Sequence, residues 1–168
     1  MDELCIKFHP EKCIQCHACE AACKSWRQLE PGVKLRRVHC LWQGSFPDTT
    51  LSTLTVSCMH CTVPACMTQC PTDAIYKRLE DGAVLVDRER CTGCRKCAKA
   101  CPIAAPQFGG DGKMQKCDNC ITGPKAADGP PACVMTCPTQ ALEPILLTAD
   151  EKAAEEAATI EKYRLMVQ

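Results

Sequence analysis

The chain has 168 residues, of which 18 are cysteine, and its 20 Lys and Arg residues balance its 20 Asp and Glu residues. This balance excludes the global positive field of a nucleic-acid-binding protein, and no apolar run approaches the ~18 residues of a membrane-spanning helix. The N-terminus has no basic segment followed by an apolar one, so we expect no secretory signal, a cytoplasmic protein and no direct membrane span. Export together with a partner that carries a signal is the open alternative.

The cysteine content, 18 of 168 residues, is above that of ordinary globular domains. The other apolar side chains are too few for a rich conventional core, and aromatic residues make up only 4% of the chain. Because disulfides are rare in a reducing cytosol, we expect the cysteines to bind metal and to hold the fold together.

Sixteen of the cysteines form four groups of four, preceded by a predicted short strand at Leu4–His9. The groups are Cys13, Cys16, Cys19 and Cys23; Cys58, Cys61, Cys66 and Cys70; Cys91, Cys94, Cys97 and Cys101; and Cys117, Cys120, Cys133 and Cys137. The two remaining cysteines, Cys5 and Cys40, are expected to be small buried apolar side chains.

The first and third groups have the spacing C-x2-C-x2-C-x3-C, which is typical of bacterial iron–sulfur sites. Three closely spaced thiolates on a tight turn wrap three corners of one cubane cluster, and the fourth reaches a different cluster. Gly93 suits such a turn. Sixteen ligands therefore predict four [4Fe–4S] clusters.

Three other uses of cysteine fit the spacing less well. Zinc takes two CxxC pairs per tetrahedral ion, and a run of three CxxC-spaced cysteines with a fourth is surplus to that need. A disulfide scaffold requires export, and a thioredoxin-type CxxC occurs once in a chain rather than fourfold. The spacing favours iron–sulfur clusters over all three.

Residues 24–57, after the first group, carry Trp26, Trp42 and Phe46. The stretches Lys34–Trp42 and Leu51–Ser57 alternate weakly and are predicted to form an antiparallel pair closed by Gly44–Asp48. The pair either covers a cluster or forms a docking surface for a partner, and the pattern does not choose between them.

Residues 74–79 and 83–87 form a predicted hairpin around Gly82, between the second and third groups. Residues 58–107 are therefore predicted to be an inner ferredoxin-like unit whose two groups exchange their fourth cysteines. The expected ligand sets are Cys58, Cys61, Cys66 and Cys101, and Cys91, Cys94, Cys97 and Cys70.

The fourth group contains an insert, Ile121–Ala132, that is predicted to be a loop, and it is followed by a predicted strand at Ala141–Leu147. Pairing that strand with Leu4–His9 gives an outer ferredoxin-like unit, residues 1–57 and 108–147, into which the inner unit is inserted. The predicted fold class is thus α+β. The expected ligand sets are Cys13, Cys16, Cys19 and Cys137, and Cys117, Cys120, Cys133 and Cys23.

Residues 148–168 are predicted to form a helix that starts with a capping box at Thr148 and Glu151. Its predicted apolar face consists of Ala153, Ala157 and Ile160, with Ala154, Ala158 and Leu165 nearby. We expect this helix to lie across its own protein, and packing against another subunit is the alternative.

No combination of side chains typical of an enzyme active site is present, so we expect no catalytic residues. Histidines and basic residues near the cysteines are expected to be surface groups or neighbours of the ligands, which could offset cluster charge. They are His9, His17, His39, His60, Lys24, Arg95, Lys96, Lys99 and Lys116.

Three segments, CMHCTVPACMTQCPTDAI, CTGCRKCAKACP and KCDNC followed by PPACVMTCPTQAL, resemble the four-cluster iron–sulfur subunits of the dimethyl sulfoxide reductase family. The resemblance implies two ferredoxin domains and an electron-transfer role beside a larger molybdenum- or tungsten-pterin catalytic subunit. It implies too that the cluster held by Cys13, Cys16 and Cys19 faces that subunit.

The short chain looks most similar to the compact type in tungsten aldehyde oxidoreductase or formate dehydrogenase complexes. A flavin subunit, a hydrogenase subunit or a soluble ferredoxin is the candidate redox partner at the other end. Two alternatives remain open: a free-standing polyferredoxin and a zinc-binding interaction module.

Overall fold

The computed structural model describes residues 2–122 and 129–167, and their helices and strands give an α+β fold. The strands are β1 (Glu3–Phe8), β2 (Arg37–Ser45), β3 (Asp48–Val56), β4 (Ile75–Lys77), β5 (Val84–Val86), β6 (Gln107–Phe108), β7 (Met114–Gln115) and β8 (Leu142–Leu147). The helices are α1 (Ala18–Trp26), α2 (Ala65–Thr68), α3 (Lys96–Ala100), α4 (Ala132–Met135) and α5 (Ala149–Met166).

The described strands pair in twos, as β1–β8, β2–β3, β4–β5 and β6–β7. The predicted pairing of the two ends of the chain is confirmed, with Phe8 opposite Leu142. The two predicted hairpins are confirmed as well, although Ser45 already pairs with Asp48, so the β2–β3 turn is tighter than expected. The β6–β7 pair has no counterpart in the prediction because two-residue strands carry no measurable alternation.

The helices pack in pairs that match the strands, α1 against α4 and α2 against α3. A small apolar cluster joins β3 to α5 and to the segment after the third cysteine group; its buried members are Leu54, Val56, Ile103, Ala105 and Tyr163. A second cluster contains Ile75, Val84 and Met114 together with the thiol of Cys97. Cysteine side chains thus form part of the core itself.

Helix α5 begins where the sequence predicts. The Glu151 backbone N–H faces the Thr148 hydroxyl at 3.5 Å, and the Glu151 carboxylate accepts a hydrogen bond from the Thr148 backbone N–H at 3.0 Å. The helix contacts β1, β2, β3 and β8 of its own chain, so the expectation that it lies across its own protein is confirmed.

The predicted apolar face of α5 is wrong for its alanines, whereas Ile160 is partly buried and packs against the cluster between β3 and α5, as expected. Ala153, Ala154, Ala157 and Ala158 are exposed, and Leu165 is 57% exposed, whereas Lys152 and Tyr163 are the buried residues of the helix. An alanine side chain removes little apolar area from water. The aromatic ring of Tyr163 and the long aliphatic stem of Lys152 bury more apolar area, and the Lys152 ammonium binds polar groups in the interior.

The structure also bears on the two ungrouped cysteines and on the predicted loop of the fourth group. Cys40 is exposed on β2 and Cys5 is only half-buried, so Cys40 does not act as a buried apolar side chain. Residues 123–128 of the predicted loop lie outside the described residues, and the flanking Ile121 and Thr122 form no helix or strand.

Candidate metal centres

The third cysteine of every group occupies the same place in a short helix. Cys19, Cys66, Cys97 and Cys133 are each the second residue of α1, α2, α3 and α4. The first two cysteines of each group lie in the loop before the helix. Each group therefore presents three thiols from one loop and the first turn of one helix.

The backbone of the four loops also repeats. The residue directly before the second cysteine has a left-handed conformation in all four groups, with φ of 57° at Gln15, 52° at His60, 70° at Gly93 and 56° at Asn119. Turns of this kind point successive backbone N–H groups to one side and form concavities that suit anions. At Gly93 a Cβ would lie 2.5 Å from the Gly112 carbonyl oxygen, so the close approach requires glycine.

Two cavities are each lined by three cysteines of one group and the fourth cysteine of another. Cys13, Cys16 and Cys19 line one cavity together with Cys137. Cys91, Cys94 and Cys97 line another together with Cys70. These are the combinations that the sequence predicts for two of the four ligand sets.

In the other two predicted sets, the pKa of several thiols is raised by burial and by cysteines of the same set. Burial, together with the neighbouring Glu156, Cys58, Cys101 and Cys66, raises the pKa of Cys61 to about 12. Burial likewise raises the pKa of Cys117 to about 12, with contributions from Cys133 and Cys23. The pKa of Cys120 is raised by burial and by Cys133. Thiols packed in this way ionise together only when a metal neutralises them.

The fourth cysteines accept hydrogen bonds from the backbone. The Ala105 N–H donates to Cys101 Sγ at 3.3 Å, and the Ala141 N–H donates to Cys137 Sγ at 3.2 Å. Burial raises the pKa of Cys137, but hydrogen bonds from the Ala141 N–H and from Thr139 outweigh it and lower the pKa. N–H donors aimed at sulfur stabilise a negatively charged cluster.

These features fit the chemistry of [4Fe–4S] clusters: four thiols to each set, N–H donors at sulfur, and loops shaped for anions. In the parts of the chain that the structure describes, no three His, Cys, Asp or Glu side chains converge closely enough to hold a single metal ion.

Four of the five basic residues named from the sequence separate into two kinds. Arg95, Lys96 and Lys99 are exposed, as expected for solvated side chains. Lys116 is only 3% exposed, and its ammonium donates to the carbonyl oxygens of Val84 and Cys117. A buried ammonium this close to the ligand groups offsets cluster charge.

Sequence reasoning missed Arg36, a second buried cation, which is 3% exposed. Its guanidinium donates to the Ser57 hydroxyl at 2.9 Å and faces the Thr55 hydroxyl at 3.4 Å. Arg36 lies 13 residues after Cys23 and 22 before Cys58, so no spacing signal connects it to the cysteines.

His60 is the one buried histidine of the four, and it lies between Cys58 and Cys61. Its Nδ1 accepts a hydrogen bond from the Val84 N–H at 2.9 Å. Burial, helped by the nearby Lys116 and Lys152 ammonium groups, lowers the pKa of His60 well below its usual value. The ring is therefore neutral at physiological pH.

Comparison with known proteins agrees with this chemistry. A family model described as a 4Fe-4S dicluster domain matches residues 49–144, and one described as a 4Fe-4S binding domain matches residues 10–26. The probable anaerobic dimethyl sulfoxide reductase chain YnfG of Escherichia coli is 42% identical over 142 residues, which cover 79% of this chain and 68% of the relative. The chain belongs to the iron–sulfur subunits of the dimethyl sulfoxide reductase family.

Two further relatives place other activities in this family. The formate dehydrogenase iron-sulfur subunit of Wolinella succinogenes is 38% identical over 161 residues, covering 82% of this chain and 79% of the relative. The thiosulfate reductase electron transfer subunit PhsB of Salmonella typhi is 40% identical over 145 residues, covering 82% and 73%. Family members are electron-transfer subunits rather than catalytic ones, and this chain carries four [4Fe–4S] clusters for that role.

Residues 2–122 and 129–167 include no helix that combines the length and the apolar composition needed to cross a membrane.

Proposed function

We propose that this subunit relays electrons to or from a larger molybdenum- or tungsten-pterin catalytic subunit. The observation that supports the proposal is that two cavities are each lined by three cysteines of one group and the fourth cysteine of another, an arrangement that would bring the clusters into pairs. Cys137 lines a cavity with the first group, and Cys70 lines one with the third. A chain of paired clusters serves to carry electrons over distance.

We propose four ligand sets on the same grounds. They are Cys13, Cys16, Cys19 and Cys137; Cys117, Cys120, Cys133 and Cys23; Cys58, Cys61, Cys66 and Cys101; and Cys91, Cys94, Cys97 and Cys70. The pairing of β1 with β8 and of α1 with α4 supports an outer unit of residues 1–57 and 108–147. The pairing of β4 with β5 and of α2 with α3 supports an inner unit of residues 58–107 inserted into it, with residues 148–168 as a separate helix.

Bound clusters supply one-electron redox chemistry, and the protein sets the conditions under which it occurs. The thiolates hold each cluster at a fixed place. Backbone N–H groups, such as those of Ala105 and Ala141, stabilise the negative charge on sulfur. The buried Lys116 ammonium would balance the negative charge of a reduced cluster, and the surrounding apolar side chains keep water away.

The first cysteine group is the proposed contact with the catalytic subunit. Cys16 is exposed and the neighbouring Ile14 is 62% exposed, so this end of the relay lies at the surface. The β2–β3 hairpin carries Trp42, 67% exposed, and Phe46, 92% exposed, near its turn, while Leu54 and Val56 at its base are buried. Its base covers the core, and its exposed aromatic tip supports a docking role.

We propose the cytoplasm as the compartment, because cluster loading requires reduced thiols on all sixteen ligand cysteines. Cell fractionation with antibody detection tests this assignment, and recovery of the loaded protein from an exported fraction contradicts it.

Native mass analysis of the complex purified without crosslinking, with iron, molybdenum and tungsten counted, tests the proposed function. We expect the chain in tight association with a larger pterin subunit, with about 16 Fe and 16 acid-labile sulfides per chain from four cubane clusters. A monomer that reduces a free carrier unaided identifies a free-standing polyferredoxin instead. A preparation with about eight Fe or fewer, or with stoichiometric zinc, contradicts the cluster assignment.

Paired substitutions test the exchanged ligands. Cys70→Ala is expected to remove one cluster and leave about 12 Fe. Adding Cys91→Ala leaves about 12 Fe, because both changes strike one cluster, whereas adding Cys58→Ala leaves about eight, because they strike two. Iron counts by elemental analysis check this order.

The reversed order, with the greater loss in the Cys70→Ala and Cys91→Ala pair, contradicts the exchange. Cys40→Ala is the matched control, because Cys40 is exposed and belongs to no group. We expect this control to retain about 16 Fe.

A further inference from the structure

Arg36 is a buried cation without a carboxylate partner among the described residues. Its side-chain hydrogen bonds join it to two neutral hydroxyl groups, those of Thr55 and Ser57. These two residues lie two positions apart on the extended chain at the end of β3, so their side chains share one face. A guanidinium held only by hydroxyl groups in the interior is strongly destabilising unless another negative charge compensates it.

Arg36 lines a cavity together with Asn119, the residue directly before Cys120 in the fourth cysteine group. Burial lowers the pKa of the Arg36 guanidinium, but the charges of Cys133, Cys117, Cys19 and Cys23 outweigh burial and raise it. Cys19 lines the cavity of the first group. The other three belong to the set that joins the fourth group to Cys23. Arg36 therefore lies next to the loop of the fourth group and, through Thr55, near Cys19 of the first.

Thr55 connects Arg36 to one of these ligands. The Thr55 hydroxyl oxygen lies 3.4 Å from Arg36 Nη1 and 3.9 Å from Cys19 Sγ. A metal-bound thiolate has no proton to give, so the hydroxyl accepts from the guanidinium and donates to the sulfur. Thr55 is 6% exposed, which leaves little room for water to replace this bond.

We propose that Arg36 is the shared counter-cation of the two outer clusters, and that with Thr55 it sets their reduction potentials. The proposal rests on the four-cluster function proposed above. A positive charge next to a cluster stabilises the form with one more electron, so Arg36 raises both potentials. The Thr55 hydroxyl acts only on the cluster that Cys19 holds.

The test is an anaerobic redox titration of the full chain in its native complex, followed by electron paramagnetic resonance. We expect Arg36→Met to lower two of the four midpoints. Each shift should correspond to at least a tenfold loss of reduced cluster at a fixed potential, about 59 mV for a one-electron couple. Thr55→Val should lower one of those two midpoints by less, and Arg36→Lys should restore both towards the original values.

Lys34→Met is the matched control. Lys34 lies two residues before Arg36 and its side chain is exposed, so the substitution removes one positive charge from the surface. We expect its four midpoints to stay unchanged, since water and salt screen an exposed charge. Four unmoved midpoints in Arg36→Met with all clusters present overturn the proposal. A control that shifts the same two midpoints as strongly also overturns it, because the effect then belongs to net charge.

Iron and sulfide counts on every sample separate this proposal from the proposed function. A low count in the unsubstituted protein contradicts the four-cluster function. If Arg36→Met alone loses clusters, Thr55→Val and Arg36→Lys decide the question. The role proposed for Arg36 is overturned if Thr55→Val leaves the midpoint potential of the Cys19 cluster unchanged. It is also overturned if Arg36→Lys, which keeps the positive charge, fails to keep both midpoint potentials near their original values.

Discussion

Removal of iron is expected to abolish the cooperative unfolding transition of this protein. The apolar clusters are small, and Cys23, Cys97 and Cys133 are among the buried side chains of the core. The described strands pair only in twos, and an isolated two-stranded pair is marginally stable in water. Without clusters no bond joins the packed thiols. We therefore expect the lost free energy of unfolding to exceed the ~5–15 kcal/mol that stabilises an ordinary domain.

Thermal melting followed by circular dichroism, before and after anaerobic removal of iron, measures this effect. We expect a sigmoidal transition for the loaded protein and a gradual, non-cooperative change for the stripped one. Reconstitution with iron and sulfide is the control, because it should restore the transition if the chain is undamaged. If the stripped chain melts cooperatively within a few degrees of the loaded protein, aliphatic packing alone is sufficient to stabilise the fold and the prediction is wrong.

Glu3→Gln is expected to release helix α5 from the rest of the fold. The two carboxylate oxygens of Glu3 lie 2.6 Å from Lys152 Nζ and 2.7 Å from Lys77 Nζ. Lys152 is fully buried and also donates to the His60 carbonyl oxygen at 2.7 Å. One carboxylate thus joins β1, β4 and α5.

The physical cost of Glu3→Gln is an ammonium left buried without its counter-charge. Removing one partner of a buried ion pair typically costs about 3–5 kcal/mol. Burial raises the pKa of Glu3, but the hydrogen bonds and charges of Lys152 and Lys77 outweigh it and lower the pKa. The carboxylate is therefore ionised at neutral pH, and its contribution is lost only as the pH falls below the ordinary range for Glu.

Native-state hydrogen exchange of the α5 amides checks this prediction. We expect exchange about a hundredfold faster or more in Glu3→Gln, which corresponds to about 3 kcal/mol. Glu161→Gln is the matched control in the same helix, since Glu161 and Arg164 form an exposed pair at 3.9 Å, for which we expect less than about 0.5 kcal/mol. Adding Lys152→Met to Glu3→Gln should recover much of the loss, because the uncompensated charge is then gone.

The local features of this fold were predictable from the sequence. The cysteine groups are visible in their spacing, and the start of α5 follows from the capping residues Thr148 and Glu151. The hairpin around Gly82 follows from a turn signal between apolar runs. The pairing of β1 with β8 was predictable because the outer cysteine groups need support from both ends of the chain. Each of these depends on neighbouring residues or on a fixed count of ligands.

The buried charges were decided only by the tertiary structure. Lys152 and Glu3 are 149 residues apart, and no local sequence pattern indicates that they form a pair. The sequence therefore predicts an alanine face for α5 instead. Of the thiols whose charges act on Arg36, Cys117 and Cys133 are 81 and 97 residues further along the chain, and Cys40 was expected inside but lies outside. A charged side chain is stable in the interior only where its counter-charge and hydrogen-bond partners converge, and that convergence arises from long-range packing.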